Sequence, residues 1–170
     1  MTEEMIEEFS AQKALLHILA VLYNTPVESK SLDALKMITE TGLPELDALV
    51  QHAKNSNLLD IQKDWTKIFR GISLSYGPKP PYEELFSTNT MAAIAARYAK
   101  HGFVSAIDNR VDYIGVELEY LSTLSDYEEF STFAASCKIW FSKYAEAAGE
   151  QISTEFCKAL IKATIEILDI

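Results

Sequence analysis

An all-α fold is predicted for this chain, as a single-domain helical bundle of about seven to eight helices with one long proline-rich loop. Along most of the chain, apolar residues recur at the three- and four-residue spacing of amphipathic helices. Proline, glycine and capping residues divide this pattern into segments of helix length. No β-hairpin signal, repeat or low-complexity tract interrupts it. With 170 residues, 48% of them hydrophobic, the chain can bury a sizeable core, so we expect one domain over residues 1–170.

Four helices are expected in the N-terminal part of the chain. Acidic residues favour the start of the first helix, and Pro26 stops it. Ser31 is a candidate cap for the second helix, and Pro44 lies in the first turn of the third, where proline is tolerated. The predicted segments are residues 3–23, 31–40, 44 to a break at 55–57, and 58–70.

The proline-rich loop is predicted over residues 71–87, which contain three of the five prolines. Such a segment is unsuited to a helix or a central strand. A loop of this length in a compact helical domain is more often functional than not. We expect its aromatic residues to pack it back onto the helices, and these are Tyr76, Tyr82 and Phe86.

Four more helices are expected after the loop. Thr88 or Asn89 is a candidate cap for the first of them, and Gly102 ends it. Asp108 is a candidate cap for the next, and Asp126 begins a capping box for the one after that. The predicted segments are residues 91–101, 108–124, 126–148 and 153–168.

The composition restricts the class of partner and the compartment. A net charge of -10 disfavours nucleic acid and suits a cationic partner, although acidity also serves solubility alone. The N-terminus lacks the basic start of a signal peptide, and no apolar run approaches the roughly 18 residues of a membrane span. We therefore expect a cytoplasmic protein that does not insert into membranes. Cys137 and Cys157 are expected to be reduced, buried thiols.

Segment 108–124 contains an unusual carboxylate. On a helical projection, Glu117 points into the apolar arc, whereas Asp108 and Asp112 fall on the wetter side. An unpaired buried carboxylate would cost about 3–5 kcal/mol, so Glu117 must be paired, hydrogen-bonded or protonated. Its candidate partners are a tyrosine hydroxyl, a backbone amide or an arginine such as Arg97. On spacing alone, these acids are better explained by a solvated face plus one satisfied buried acid than by a docking point for a guanidinium. If a guanidinium does bind here, Asp112 is a better candidate than Glu117.

A second group of residues is aromatic and apolar. Trp65, Ile68 and Phe69 follow one another at helical spacing, and the proline-rich loop continues with Pro81, Tyr82 and Phe86. Such a stripe is usually core, although its continuation into an aromatic loop also suits a groove wall. With the acidic residues, a groove would suit a peptide that has basic and hydrophobic portions.

Sequence signatures of catalysis are missing. The chain has no HExxH, P-loop or GxSxG motif, and its three histidines do not have the spacing of metal ligands. His17 is expected to be a core residue, and His101 a helix C-terminal residue. We therefore expect neither a metal nor another cofactor, and no enzymatic activity.

Three blocks resemble, in order and spacing, the TorD/DmsD/NarJ family of redox-enzyme maturation chaperones. They are DWTKIFRG (64–71), PPYEELF (80–86) and DYIGVELEYLSTL (112–124), followed by a similar segment that ends at Trp140. The chain departs from the family pattern in having Tyr113 for the usual histidine, Asn109-Arg110 for Glu-Pro, Glu84 for serine and Ser136 for a second histidine. It therefore resembles a divergent member.

The resemblance implies an all-helical cytoplasmic chaperone without catalytic activity. By this resemblance, the chain binds the twin-arginine leader or N-terminal segment of a molybdopterin oxidoreductase subunit and assists cofactor insertion and assembly before export. Family positions and the two residue groups above together give the candidate peptide-binding residues Trp65, Ile68, Phe69, Pro81, Tyr82, Phe86, Asp108, Asp112, Tyr113 and Glu117.

Two other functions stay open at this point, a structural interaction subunit of a reductase complex and a small-molecule-binding helical protein. The chain is expected to be a monomer or a domain-swapped dimer.

Overall fold

The computed structural model describes residues 2–70 and 78–170, and these residues form eight α-helices. The helices are α1 (Glu3–Asn24), α2 (Ser29–Lys36), α3 (Pro44–Asn55), α4 (Leu58–Phe69), α5 (Met91–Lys100), α6 (Ile114–Thr123), α7 (Tyr127–Ala148) and α8 (Glu155–Ile167). Two short 3₁₀ turns lie at Glu83–Leu85 and Gly149–Gln151. Within the described ranges the only β-type pairing is one isolated bridge, so the predicted all-α class is confirmed.

The helices pack around one hydrophobic core. α6 lies mainly against α1, α8 lies mainly against α3, and α7 contacts both α6 and α8. The largest fully buried side chains come from several helices, and they include Tyr23 of α1, Trp65 of α4, Tyr120 of α6 and Trp140 of α7. Burial of large aromatic surfaces supplies much of the stabilisation of such a core.

The backbones of α1 and α6 approach closely at Gly115. The Asn24 side-chain amide donates to the Gly115 carbonyl at 3.0 Å, and a Cβ on Gly115 would lie 2.3 Å from Asn24 Oδ1. Asn24 is itself 4% exposed, so it has little room to move aside. Only glycine fits at this crossing.

Replacing Gly115 with alanine is expected to lower the free energy of unfolding by about 2 kcal/mol, as overpacking does. This loss should exceed the 0.5–1 kcal/mol, roughly, that alanine normally adds to a helix interior. Urea unfolding measures the change. Gly149→Ala is the matched control, because a Cβ there meets no atom within 4 Å. Equal stability of the two variants would contradict the packing argument.

Several helix ends follow their local capping signals. The Asn57 side chain accepts from Leu59 N and Asp60 N, and Asp126 accepts from Glu129 N at 2.9 Å, as the predicted starts of α4 and α7 require. Gly102 has φ of +63°, which suits its predicted position after α5.

Two caps are predicted wrongly by one to three residues. α2 begins at Ser29 after Glu28, so Ser31 lies inside the helix. Thr90, rather than Thr88 or Asn89, caps α5 and accepts from Ala93 N at 3.2 Å. Before α5, four capping residues occur in succession at 87–90, so composition alone does not select one of them. At α2 the cap Glu28 makes no side-chain cap hydrogen bond, so no capping signal marks its start.

The largest error concerns the start of α6. Asp108 does not cap a helix, because α6 begins at Ile114 after Tyr113. The backbone just before α6 instead pairs with the proline-rich segment, where Glu83 N donates to Asp112 O at 2.8 Å and Ile114 N donates to Pro81 O at 3.1 Å. This long-range pairing holds the segment out of the helical conformation.

The described part of the proline-rich loop packs back onto the helices, as predicted. Pro81 is buried, and Phe86 lies against the rings of Trp140 and Tyr144. A 3₁₀ turn at Glu83–Leu85 is an addition to the predicted loop. Residues 71–77, including Tyr76, lie outside the described residues.

The remaining predictions are mixed. Cys137 and Cys157 are buried free thiols, as expected. His17 is exposed, so the prediction that it is a core residue is wrong. The outer face of α1 is also apolar, with Ile18 37% and Val21 43% exposed, so apolar neighbours do not indicate burial here. Among the described helices, none combines the length and the apolar character that crossing a bilayer requires.

Candidate functional site

The candidate site lies where the proline-rich segment meets the entrance to α6. The isolated antiparallel bridge between Tyr82 and Tyr113 holds the two segments side by side. This pairing brings Tyr82 and Glu84 next to Asp112, which is 28 residues away from Glu84 along the chain. Four of the predicted residues, Pro81, Tyr82, Asp112 and Tyr113, therefore belong to one local structure.

At the centre of this site, Asp112 binds the guanidinium of Arg110 in a bidentate ion pair. Arg110 Nε donates to Asp112 Oδ1 at 2.9 Å, and Arg110 Nη2 donates to Asp112 Oδ2 at 2.9 Å. The Glu84 backbone N–H also donates to Asp112 Oδ2, at 3.3 Å. This two-point geometry is the one by which carboxylates recognise arginine most specifically.

Two neighbours complete the surroundings of the guanidinium. The central carbon of the Arg110 guanidinium lies 4.2 Å from the centroid of the Tyr82 ring, within cation–π range. Glu84 Oε2 accepts from Arg110 Nη2 at 3.3 Å. The hydrogen bond and charge of Asp112 raise the pKa of Arg110, so the guanidinium stays charged.

The prediction that Asp112 lies on a wet helix face is wrong. Its side chain is completely buried, whereas Arg110 is 38% exposed and Glu84 is 41% exposed. The arginine covers the carboxylate from the solvent side. Arg110 was not among the predicted site residues. The signal that could have found it is its position two residues before Asp112, which allows an ion pair where the backbone is not helical.

Glu117 lies below this site and is completely buried. Trp140 Nε1 donates to Glu117 Oε2 at 3.0 Å. Burial first, and then the like charge of Glu83, raise the pKa of Glu117 well above its ordinary value. The suggested partner Arg97 is wrong, since its guanidinium instead lies 4.3 Å from the Phe133 ring.

Glu83 links the buried acid to the proline-rich segment. Its Oε1 accepts from Asn89 Nδ2 at 2.5 Å and from the Ser87 hydroxyl at 3.2 Å. Glu83 Oε2 and Glu117 Oε1 are buried without a hydrogen-bond partner among the described residues. The raised pKa of Glu117 favours its protonated form, which places no charge in the interior, so this acid is part of the interior architecture.

Tyr113, where the resemblance suggests a histidine, is a structural residue here. Its hydroxyl donates to the Tyr23 backbone carbonyl at 2.7 Å and thereby ties the start of α6 to the end of α1. Burial raises the pKa of Tyr113 far above the physiological range. A proton-dependent role of the kind that an imidazole supplies is therefore absent from this position.

The predicted groove wall on α4 is core instead. Trp65, Ile68 and Phe69 are each at most 2% exposed, and Trp65 Nε1 donates to the Leu22 carbonyl at 2.8 Å. Phe86 and Tyr82 are half-buried. Asp108 is exposed and takes no part in the ion pair between Arg110 and Asp112. The alternative that the helical stripe is core is confirmed.

Two surface grooves lie away from these residues. One, of about 690 Å³, runs between α5 and α7 and is lined by Arg97, Lys100, Glu129 and Phe133 among others. The other, of about 550 Å³, lies between α7 and the C-terminus beside Ile139. Neither groove is lined by a predicted peptide-binding residue. Among the described residues, no cluster of three or more His, Cys, Asp or Glu side chains could hold a metal ion.

Comparison with known families decides the class of the protein. The model of the nitrate reductase delta subunit family matches residues 33–158 of this chain. The chain belongs to this family. It is the family of NarJ- and TorD-type chaperones, so the predicted family is confirmed and the protein is a redox-enzyme maturation chaperone. For this delta-subunit-family chaperone, family membership implies a molybdoenzyme subunit as partner.

A solved structure has the same fold as this delta-subunit-family chaperone. It is that of a proposed redox enzyme maturation protein from Archaeoglobus fulgidus, with a TM-score of 0.62 and 22% sequence identity. The similarity covers 93% of this chain and 94% of the other. No curated protein matches the chain significantly.

Proposed function

We propose that this chaperone binds the N-terminal twin-arginine leader of a molybdopterin oxidoreductase catalytic subunit in the cytoplasm. The chaperone holds the subunit until its cofactor has been inserted, and it acts by binding rather than by catalysis. The whole chain, residues 1–170, acts as one domain in this role. Its client contact lies at the junction of the proline-rich segment with the entrance to α6.

The observation that carries the proposal is the guanidinium already bound at Asp112. Both carboxylate oxygens are engaged by Arg110 at 2.9 Å, and the Tyr82 ring lies against the guanidinium. The same carboxylate, ring and neighbouring Glu84 therefore suit an arginine side chain from another polypeptide. Asp112 is thus the proposed arginine-binding residue, and Tyr82 and Glu84 are its proposed neighbours.

The other predicted residues have different proposed roles. Pro81 and Tyr113 hold the two segments together through the backbone pairing beside the bridge. Glu117 and Phe86 support the proline-rich segment from the interior side. Trp65, Ile68 and Phe69 belong to the core. These residues shape the site, whereas Asp112 binds the client's arginine.

The charge of the chain supports the same proposal. A net charge of -10 attracts a cationic leader from a distance and speeds the encounter. Lysine would attract as strongly as arginine at long range, but it lacks the planar pair of donors that the carboxylate accepts. Discrimination between the two residues therefore tests the short-range contact.

Binding of a synthetic leader peptide with an Arg-Arg pair and an apolar run tests this function. We expect about tenfold weaker binding when both arginines are replaced by glutamine, and an intermediate loss with lysine. Fluorescence anisotropy at low and high salt measures both effects.

The matched protein variants are Asp112→Asn, which should weaken binding of the arginine peptide, and Asp108→Asn, which changes an exposed acid and should not. Equal affinity for all three peptides would exclude arginine recognition. A larger loss with Asp108→Asn than with Asp112→Asn would place the contact elsewhere.

A lasting interaction subunit is the second candidate function. It is favoured by the groove beside α7, where Ile139 is 62% exposed and Ile170 is 56% exposed. Such a subunit would co-purify with its partner at fixed stoichiometry even after the cofactor is inserted. A chaperone would dissociate at that stage.

A further inference from the structure

We infer that Arg110 is an intramolecular occupant of the Asp112 site, and that a client arginine binds there by displacing it. This inference rests on the proposed function, since it assigns the regulation of the same site. The chain's own arginine thereby sets the threshold for client binding. A segment must compete with Arg110 before it can use the carboxylate.

The first step of the argument is that the site is full. Arg110 uses both oxygens of Asp112, and the third hydrogen bond to this carboxylate comes from the Glu84 backbone. A second guanidinium cannot make the same bidentate contact while the first remains. Binding and displacement are therefore the same event at this carboxylate.

The second step is that Arg110 can leave. Its side chain is 38% exposed, and it lies in the irregular segment before α6 rather than in a helix. A rotation of the side chain towards solvent leaves the backbone bond from Tyr113 N to Arg110 O, at 3.1 Å, in place. Because Arg110 is bonded to both carboxylate oxygens of Asp112, its departure leaves both oxygens open to another guanidinium.

The third step concerns specificity. Because Arg110 makes a two-point ion pair, a single-point competitor such as lysine gains less than it displaces. The cost of displacement therefore rejects basic peptides that lack arginine. The Tyr82 ring adds to the same preference, because a planar guanidinium stacks on it at 4.2 Å.

Arg110→Lys tests the inference with little risk to the fold. Lysine keeps the positive charge near Asp112 but makes a weaker competitor, so the Arg-Arg leader peptide should bind about tenfold more tightly than it does to the wild type. Arg70→Lys is the matched control, since Arg70 is also exposed and bears the same charge, and its leader affinity should not change. Equal or weaker binding by Arg110→Lys would overturn the inference.

A second measurement does not depend on the leader. In Arg110→Ala, the Asp112 carboxylate lacks its partner, so L-argininamide should raise the melting temperature of this variant more than that of the wild type. Lysinamide should give a smaller rise. Equal responses of the variant and the wild type to L-argininamide would overturn the inference.

The two proposals fail in distinguishable ways. In the first case, the wild type binds the Arg-Arg and Gln-Gln peptides equally, but L-argininamide stabilises Arg110→Ala selectively. The proposed leader binding is then wrong, and the arginine-binding site at Asp112 is supported. If the wild type recognises the arginines but Arg110→Lys gains no affinity, the leader function stands and the displacement is wrong.

Discussion

Replacement of Asp64 by alanine is expected to lower the free energy of unfolding by about 3 kcal/mol. Asp64 is 4% exposed and fixes the start of α8 from the neighbouring helix α4. Its carboxylate accepts from Ser153 N at 3.1 Å, from Thr154 N at 2.8 Å and from the Thr154 hydroxyl at 2.7 Å. Alanine leaves these donors without a partner at the N-terminus of a helix.

The effect should exceed that of an ordinary cap, because Asp64 also orients the cap itself. Thr154 accepts from Cys157 N at 3.3 Å while donating to Asp64, so both contacts weaken together. For a domain of this size we expect a melting temperature lower by about 6–12 °C, measured by circular dichroism.

Asp60→Ala provides the control for Asp64. Asp60 lies on the same helix but is exposed, and its replacement should change stability by no more than about 0.5 kcal/mol. Similar losses in the two variants would mean that the general charge of α4, rather than the α8 start, is responsible.

Replacement of Glu117 by glutamine is expected to remove much of the fall in stability that the wild type shows with rising pH. The pKa of Glu117 is raised in the folded protein, so the folded state retains a proton that the unfolded state releases above about pH 4. The carboxyl's contribution to stability is therefore full below that pH. It is lost as the pH rises through the folded pKa, by up to about 1.4 kcal/mol per pH unit.

Glutamine should preserve the contacts while removing the titration. Its carbonyl oxygen can accept from Trp140 Nε1, and its amide supplies a donor to the neighbouring buried Glu83 carboxyl. We therefore expect the variant to be more stable than the wild type near pH 8 and to differ less from it near pH 5. Urea unfolding at several pH values between about 5 and 8 measures the two slopes.

Glu146→Gln is the control for Glu117, because Glu146 is an exposed acid at the end of α7. Its pH slope should match that of the wild type. An unchanged slope in Glu117→Gln would contradict the assignment of the retained proton to Glu117.

The helices could be predicted from sequence because their start and stop signals are local. Asn57 bonds to backbone groups two and three residues away, and Asp126 to a group three residues away. Such contacts depend only on neighbouring residues. Where several capping residues are adjacent, as before α5, the same local information gives the helix but not its first residue.

The candidate site could be predicted only in part, because its decisive contacts join distant segments. Helical periodicity extended α6 back to Asp108, since nothing in residues 108–113 reveals that their backbone pairs with Pro81 and Glu83. The family resemblance did point to Asp112 and Tyr82, which lie together. It did not reveal Arg110, which belongs to a position where this chain departs from the family.

Burial of Glu117 was predicted correctly, but its partners were not. The apolar arc around it requires an interior position, and periodicity suffices for that conclusion. An indole and a second acid were not among the partners considered. Glu83 lies beside Glu84 in the sequence, and only the turn of the proline-rich segment buries one and exposes the other.

The hydrogen bond between Trp140 and Glu117 also makes tryptophan fluorescence an intrinsic probe of the buried acid. The chain contains two tryptophans, and the other, Trp65, donates to a backbone carbonyl that does not titrate. Replacing Trp65 by phenylalanine would leave an emission signal from the indole that contacts the buried acid. The pH dependence of this emission then follows the buried acid without a label.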